Sequence, residues 1–462
     1  MPQKNIQSKL YLLYLFFLPM GRLIDLGLPE VFQKYLFQNF CLFFFAIGFI
    51  IMLINNNKII LTLPTIIHKW KNLYIFQVIY SVIAACLLYI PLGDLNGEDT
   101  LKASIGGIVF WLIVLCHIFY NYYGITQLIT VKQFISILHK STIVLLIIGY
   151  LQFFTINIGG IFATIYIAIS KIIILLPIER LNRGVVFFGT EPSSSSLILV
   201  YIIPMIISLI IKPFNTTKRW IEFLYIILFI PLFITSDSST VLIILLMLIT
   251  TTIVIITKKR IIYKLLLIGS FLIGAIIAFS YGTGSIKKDS NYTSNTSSLK
   301  YLIFTKIQDT ENLSTIMRSS TIINDMRIFM DFPLLGVGDG IQGYFYNENI
   351  PREFLISPEV TDAYNGKSGI IDGGGAFFPC FLSAYGILGL FFLIPLVKKY
   401  LYFFKLNWKN LNNFDIMLML FLIVFSSSAW FSLGIRQNFP VILMLVLPLA
   451  SSNLNIHKNN QN

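Results

Sequence analysis

Residues 238–257 read SSTVLIILLMLITTTIVIIT, a stretch of twenty positions without one Asp, Glu, Lys or Arg. Its apolar residues are continuous rather than alternating, which argues for helix over strand. A bilayer hydrocarbon core about 30 Å thick is crossed by about 20 apolar residues in a helix. Inside it only a helix or a closed barrel satisfies every backbone N–H and C=O. The same charge-free character returns at 36–54, 103–122, 193–211, 265–286, 376–397 and 416–435. The fold class expected is an all-α polytopic membrane protein, and its chemistry should lie where charges return.

Composition points the same way. Hydrophobic residues make up 56% and charged residues 12% of the chain, against about 25% charged in soluble domains. The formal charge of +13 is read as a topology signal on cytoplasmic loops, not as a nucleic-acid surface. Cys41, Cys86, Cys116 and Cys380 all fall in apolar runs without metal spacing or a disulfide pattern. The first apolar run continues through Pro19, Met20 and Gly21 with no small-residue cleavage site, so no cleaved leader is expected.

About twelve transmembrane helices are expected, at 10–28, 36–54, 73–92, 103–122, 141–158, 193–211, 220–236, 238–257, 265–282, 376–397, 414–431 and 436–453. The first is the weakest, because Arg22 and Asp25 sit in its last turns. The connections alternate in charge. One side carries nineteen basic residues, from Lys4 and Lys9 through the Lys258–Lys259–Arg260–Lys264 cluster to Lys458. The short loops of the other side carry four: Arg22, Lys34, Lys102 and Arg436. The positive-inside rule then places both termini in the cytoplasm.

Two outer segments are long. Residues 159–192 contain an apolar run, 161–178, broken by Lys171. Were that run a thirteenth span, every later loop would invert and the Lys-rich ones would face out. It is therefore read as a re-entrant or interfacial segment. The other, 283–375, is the single large extracytoplasmic loop, between the ninth and tenth helices. It holds eleven of the twenty-one acidic residues and eight basic ones. The chain so divides into 1–282, 283–375 and 376–462.

Two stretches could carry chemistry. Glu179-Arg180-Leu181-Asn182-Arg183-Gly184-Val185-Val186-Phe187-Phe188-Gly189-Thr190-Glu191-Pro192-Ser193 brings two arginines and a glutamate to the outer mouth of the sixth span. Guanidinium forks beside a helix N-terminus make an anion site. The alternative is an interfacial anchor, with Phe187 and Phe188 among the headgroups. In the long loop, Arg318-Ser319-Ser320-Thr321 is followed by Asp325, Arg327 and Asp331, then by Phe332-Pro333-Leu334-Leu335-Gly336-Val337-Gly338-Asp339-Gly340. Gly338 to Gly343 match a dinucleotide fingerprint, but without the strand and helix such a site needs. A glycine turn that lets the backbone approach a ligand or another helix is the preferred reading. Asp237, in the hairpin between the seventh and eighth spans, and Arg436 are isolated charges at helix ends. No His-based metal site is expected outside.

The Arg-x-x-Arg-Gly-x-x-Phe-Phe-x-x-Glu-Pro-Ser run, the late outer loop and its Phe-Pro-x-x-Gly-Val-Gly-x-Gly run resemble the O-antigen and capsule repeat-unit polymerases (Wzy type) of the O-antigen ligase-like superfamily. The resemblance covers the architecture broadly and residues 180–193 and 318–340 by motif. It implies a glycosyltransferase of the bacterial inner membrane without metal or other cofactor. Its substrate would be an oligosaccharide repeat unit on undecaprenyl diphosphate, joined at the outer face into O-antigen or capsule. A flippase and a chain-length regulator would be its partners, within the lipid bilayer, and no nucleic acid. On this reading Arg183 and Arg318 grip the diphosphate and Glu191 is the base, with Asp362 and Asp372 behind it. Arg180, Arg436, Ser193, Gly336 and Gly338 contribute to substrate binding. The alternatives are a ligase-like transferase of the same superfamily and a lipid-linked oligosaccharide flippase or transporter. The superfamily's ligases use a loop histidine, which 283–375 lacks.

Overall fold

The computed structural model describes residues 2–20, 40–55, 65–86, 94–95, 98–171, 184–188, 196–213, 219–236, 239–282, 313–365, 376–407 and 411–430, with isolated positions at 173–181 and 443–446. The helices are α1 (Pro2–Phe17), α2 (Cys41–Asn55), α3 (Thr65–Ala84), α4 (Thr100–Tyr123), α5 (Val131–Asn157), α6 (Ile161–Ser170) and α7 (Ser196–Ile211). They continue as α8 (Arg219–Ile234), α9 (Ser239–Ile256), α10 (Arg260–Gly282), α11 (Leu313–Asp331), α12 (Pro358–Tyr364), α13 (Phe377–Asn407) and α14 (Asn413–Ser428). The sole strand pairing among the described residues is the two-residue ladder Asp94–Leu95 with Glu98–Asp99.

Four helical stretches are long and apolar enough to cross a membrane: Ile105–Leu128, Val131–Asn157, Arg260–Ser280 and Phe377–Leu401. Six shorter apolar helices, of 10–17 residues, accompany them among the described residues. Each of the first eleven apolar runs overlaps a helix, whereas of the twelfth only Leu443, Met444 and Val446 are described. The helix in the first run ends at Phe17 and gives way to a 3-10 turn at Leu18–Met20.

Several bounds differ from the sequence reading. The fifth run starts ten residues earlier, at Val131, because Thr130 and Gln133 form a reciprocal capping box. α3 likewise starts at Thr65 and α13 runs on to Asn407, since a lysine inside a helix disturbs only the apolar count, not the backbone bonds. α6 has ten residues, about 15 Å at 1.5 Å per residue, half a hydrocarbon core.

Residues 283–375, read as the large loop, carry helices of their own where they are described. They contain the nineteen-residue α11 and the shorter α12, with 3-10 turns at Gln342–Phe345 and Arg352–Ile356 and a single α-helical turn at Tyr346–Asn349 between them. Ile316, Ile323, Tyr346, Ile350, Phe354, Val360 and Ala363 give this region its own apolar core. It is not detached, since α11 packs on α10 and α13. Ile322 and Met326 there meet Ala278, Leu382 and Trp430.

Elsewhere the body is built round α14, which packs against α7, α9 and α10. Leu418, Met419, Leu420 and Phe421 are all buried, and four consecutive helical positions cover every side. A helix apolar all round belongs in an interior. At the periphery α10 does the opposite. Ile261, Leu265, Ile268, Leu272 and Ile276 are 74, 63, 55, 51 and 64% exposed along one face. A continuous apolar face of that extent is suited to hydrocarbon rather than water.

Candidate functional site

The described part of the first motif is Gly184–Phe188, a non-helical strand of chain among helices. Val185, Val186, Phe187 and Phe188 are all buried. The aromatic pair is therefore not at the headgroups: the Phe187 ring lies 6.2 Å from Phe229 and 6.3 Å from Phe233 on α8. Gly184 has φ 108° and packs against the end of α8, where any Cβ would collide with the Thr235 carbonyl oxygen. Non-helical backbone in an apolar interior needs partners for its polar groups. Gln152 of α5 supplies them. Its Oε1 accepts from the amides of Val186 (3.0 Å) and Phe187 (2.8 Å), and its Nε2 donates to the Phe187 carbonyl (2.7 Å). Arg180, Arg183, Glu191 and Ser193, which flank this fixed segment in the chain, lie outside the described residues, as do Asp237, Asp372 and Arg436.

The second motif is described throughout. α13 leaves helical geometry at Gly386 (φ 55°, ψ −155°). A break of this kind orphans carbonyls before it and amides after it. Residues 333–338 fill it as a strap. The amides of Val337 and Gly338 donate to the Ser383 and Ala384 carbonyls at 2.9 and 2.8 Å. The amides of Ile387 and Leu388 donate to the Pro333 and Leu334 carbonyls at 2.8 and 3.0 Å. Such main-chain contact leaves no room for side chains. A Cβ on Gly336 would stand 2.5 Å from the Ser383 carbonyl oxygen, and one on Gly386 2.6 Å from the Leu334 carbonyl oxygen. Gly336 and Gly338, expected at the substrate, are thus both buried against protein, and the glycine run approaches another helix.

The strap is also tied to the N-terminal helices. The Tyr80 hydroxyl donates to the Gly336 carbonyl (3.3 Å), the Asp339 amide to Ser81 Oγ (3.3 Å), and Trp111 Nε1 to Asp339 Oδ2 (2.8 Å). Asp339 is 1% exposed.

α11 carries a buried polar seam. Ser383 Oγ donates to Asp325 Oδ1 (3.1 Å), Asn324 Nδ2 to the Gln342 carbonyl (2.9 Å), and Asn349 Nδ2 to Asn324 Oδ1 (3.0 Å). Arg327 Nη1 donates to the Asn349 carbonyl (2.6 Å). Ser320 and Tyr346 share a hydrogen bond of 2.7 Å. Burial pushes the Tyr346 phenol up to about 12, so it stays protonated. Arg318 is half-buried. It stands seven residues before Asp325, so the two project from the same side of the helix. Asp362 is exposed on α12 and Asp331 at the end of α11. Among the described residues no group of three or more His, Cys, Asp or Glu side chains could hold a metal.

Sequence reasoning missed Gln152, Asn324 and Gln342. One signal was available: Gln152 is an amide in the middle of an apolar run, and such a residue needs a partner inside. A pair on α5 and α8 was missed as well, where Nε2 of the part-buried His139 and Oε1 of the fully buried Glu222 lie 2.8 Å apart. No family model, no curated protein and no solved structure matches the chain.

Proposed function

We propose that the chain is a polymerase that joins undecaprenyl-diphosphate-linked oligosaccharide repeat units into surface polysaccharide at the outer face of the bacterial inner membrane. The observation that carries this reading is α11. A polar helix bearing Arg318 is packed into an apolar helical body beside a discontinuous helix, with a seam of buried amides and a carboxylate behind it. Irregular backbone among membrane helices belongs where it is buried in protein or lines a site, and buried polar groups there mark function. In the proposed topology twelve spans leave both termini in the cytoplasm and 283–375 outside.

The proposed reaction is one displacement. The acceptor sugar's hydroxyl oxygen bonds to the anomeric carbon of the donor chain as that carbon's bond to the diphosphate oxygen breaks, with inversion. Glu191 takes the hydroxyl proton. The electron pair leaves on the diphosphate, where Arg183 and Arg318 bear the developing charge, aided by Arg180 and Arg436. Ser193, in the polar mouth of the sixth span, completes the lipid-side contacts. Undecaprenyl diphosphate remains in the bilayer. Gly336 and Gly338 act through the strap, by holding α11 against α13.

Deletion of the gene followed by analysis of surface polysaccharide tests this. Chains stopped at one repeat unit are expected, and undiminished chain length would refute it. A second reading, a lipid-linked oligosaccharide transporter, is favoured by the fully buried Glu222 of the seventh span, paired with His139, since transporters place ionisable groups inside their spans. It predicts loss of even the single repeat unit from the surface.

A further inference from the structure

Gln152 does more than fill a polar vacancy in α5. It is wholly buried, and both ends of its amide are used on the same two residues of another segment. The segment it holds is not helical, and Phe187 sits at φ 55°, a conformation that non-glycine residues adopt only when their surroundings enforce it. Next to it, Gly149 gives α5 a flat surface: a Cβ there would lie 2.6 Å from the Phe187 ring. In the chain, Arg183 immediately precedes the clamped segment and Glu191 follows Phe187 by four residues. The two residues that the proposed reaction needs most on this motif thus adjoin the clamped segment in the chain, one on each side.

The structure assigns Gln152 as a positioning residue: its side-chain amide fixes the backbone of Val186 and Phe187, and through it the placement of Arg183 and Glu191. The catalytic half of this inference rests on the polymerase reading. The clamp itself does not.

The distinction sets the experiment, which uses the full-length protein in detergent micelles. Gln152→Leu removes every hydrogen bond of the clamp at similar volume. Gln152→Glu keeps an acceptor for the two amides and loses the donor to the Phe187 carbonyl. Hydrogen–deuterium exchange of the peptide covering 184–188 reads the clamp without any substrate. Exchange should be at least about tenfold faster in Gln152→Leu and intermediate in Gln152→Glu, as expected when hydrogen-bonded amides lose their acceptor. Turnover is read on lipid-linked repeat units accumulated by cells deleted for the chain. A displaced catalytic pair should lower kcat by at least about tenfold while KM changes far less, because alignment rather than affinity is lost.

Exchange as slow in Gln152→Leu as in wild type would overturn the clamp, leaving packing as the restraint. Fast exchange with wild-type kcat would overturn the positioning role. A wild-type protein that elongates nothing would sink the polymerase reading and with it the catalytic half, while the exchange arm still decides the clamp.

Discussion

Trp111 donates its indole N–H to the Asp339 carboxylate over 2.8 Å, so α4 holds the strap whose other side fills the break in α13. Two halves of the chain that are distant in sequence are thereby joined through one short segment. Trp111→Phe keeps the ring and removes the donor. The protein should lose about 1–3 kcal/mol, the cost of leaving a buried acceptor short of a partner. Asp339→Asn retains an acceptor and should lose less. Thermal unfolding in detergent compares them, and equal melting temperatures for Trp111→Phe and wild type would remove the tie.

The break itself can be tested by glycine substitution. Gly386→Ala must adopt a backbone conformation that only glycine tolerates, which costs on the order of 1–3 kcal/mol before the clash with Leu334 is counted. Gly336→Ala should be comparably harmful. Gly269 of α10 is the control, because a Cβ there meets nothing within 4 Å. Gly269→Ala should be neutral or stabilising by about 0.5–1 kcal/mol through helix propensity. An unstable Gly269→Ala protein would show that α10 is more closely packed than its exposed face indicates.

The long charge-free runs told where helices would be, because hydrocarbon leaves the backbone no other choice. They could not tell where one would be interrupted. Residues 376–397 look uniform, and the break at Gly386 exists only because a strap some distance upstream supplies four backbone partners. α11 was hidden for the opposite reason. Its buried positions include Ser319, Ser320, Thr321, Asn324 and Asp325, so no apolar period announces it, although Arg318 and Asp325 on it had drawn notice as chemistry. The capping box at Thr130 was legible and would have placed the start of α5 correctly. In the first motif the glycine and the aromatic pair are explained by packing, while Arg183 and Glu191 lie outside the described residues.

For the proposed diphosphate grip, Arg183→Lys and Arg318→Lys should each stall chain growth at one repeat unit, since a point charge lacks the planar fork. Glu191→Gln should do the same, because an amide cannot take a proton, whereas Glu191→Asp should keep residual activity. Long polysaccharide from the Gln variant, at normal protein level, would return Asp362 and Asp372 as candidate bases.

Glu222 separates the two functional readings. His139→Ala leaves a buried carboxylate without its partner and should destabilise the protein by on the order of 3 kcal/mol. Glu222→Gln keeps an acceptor for His139 without the charge. Under the polymerase reading its chain length stays normal. Loss of all surface sugar in that variant would favour transport.

The topology has its own check. Cysteines introduced at Ser298 and Asn459 should label with an impermeant reagent from outside and only after permeabilisation, respectively. Labelling of the Ser298 position from the cytoplasmic side alone would put the proposed site on the wrong face.

The interrupted α13 also bears on how the protein is made. A helix entering hydrocarbon with four unpaired peptide groups would face a penalty of several kcal/mol for each. Residues 333–338 precede 383–388 in the chain and so leave the ribosome first. By the time the tenth apolar run reaches the bilayer, the main-chain partners for its break already exist. The order of synthesis therefore delivers the strap before the helix whose break it fills, and a circular permutation that placed the strap after α13 would reverse that order while keeping every contact.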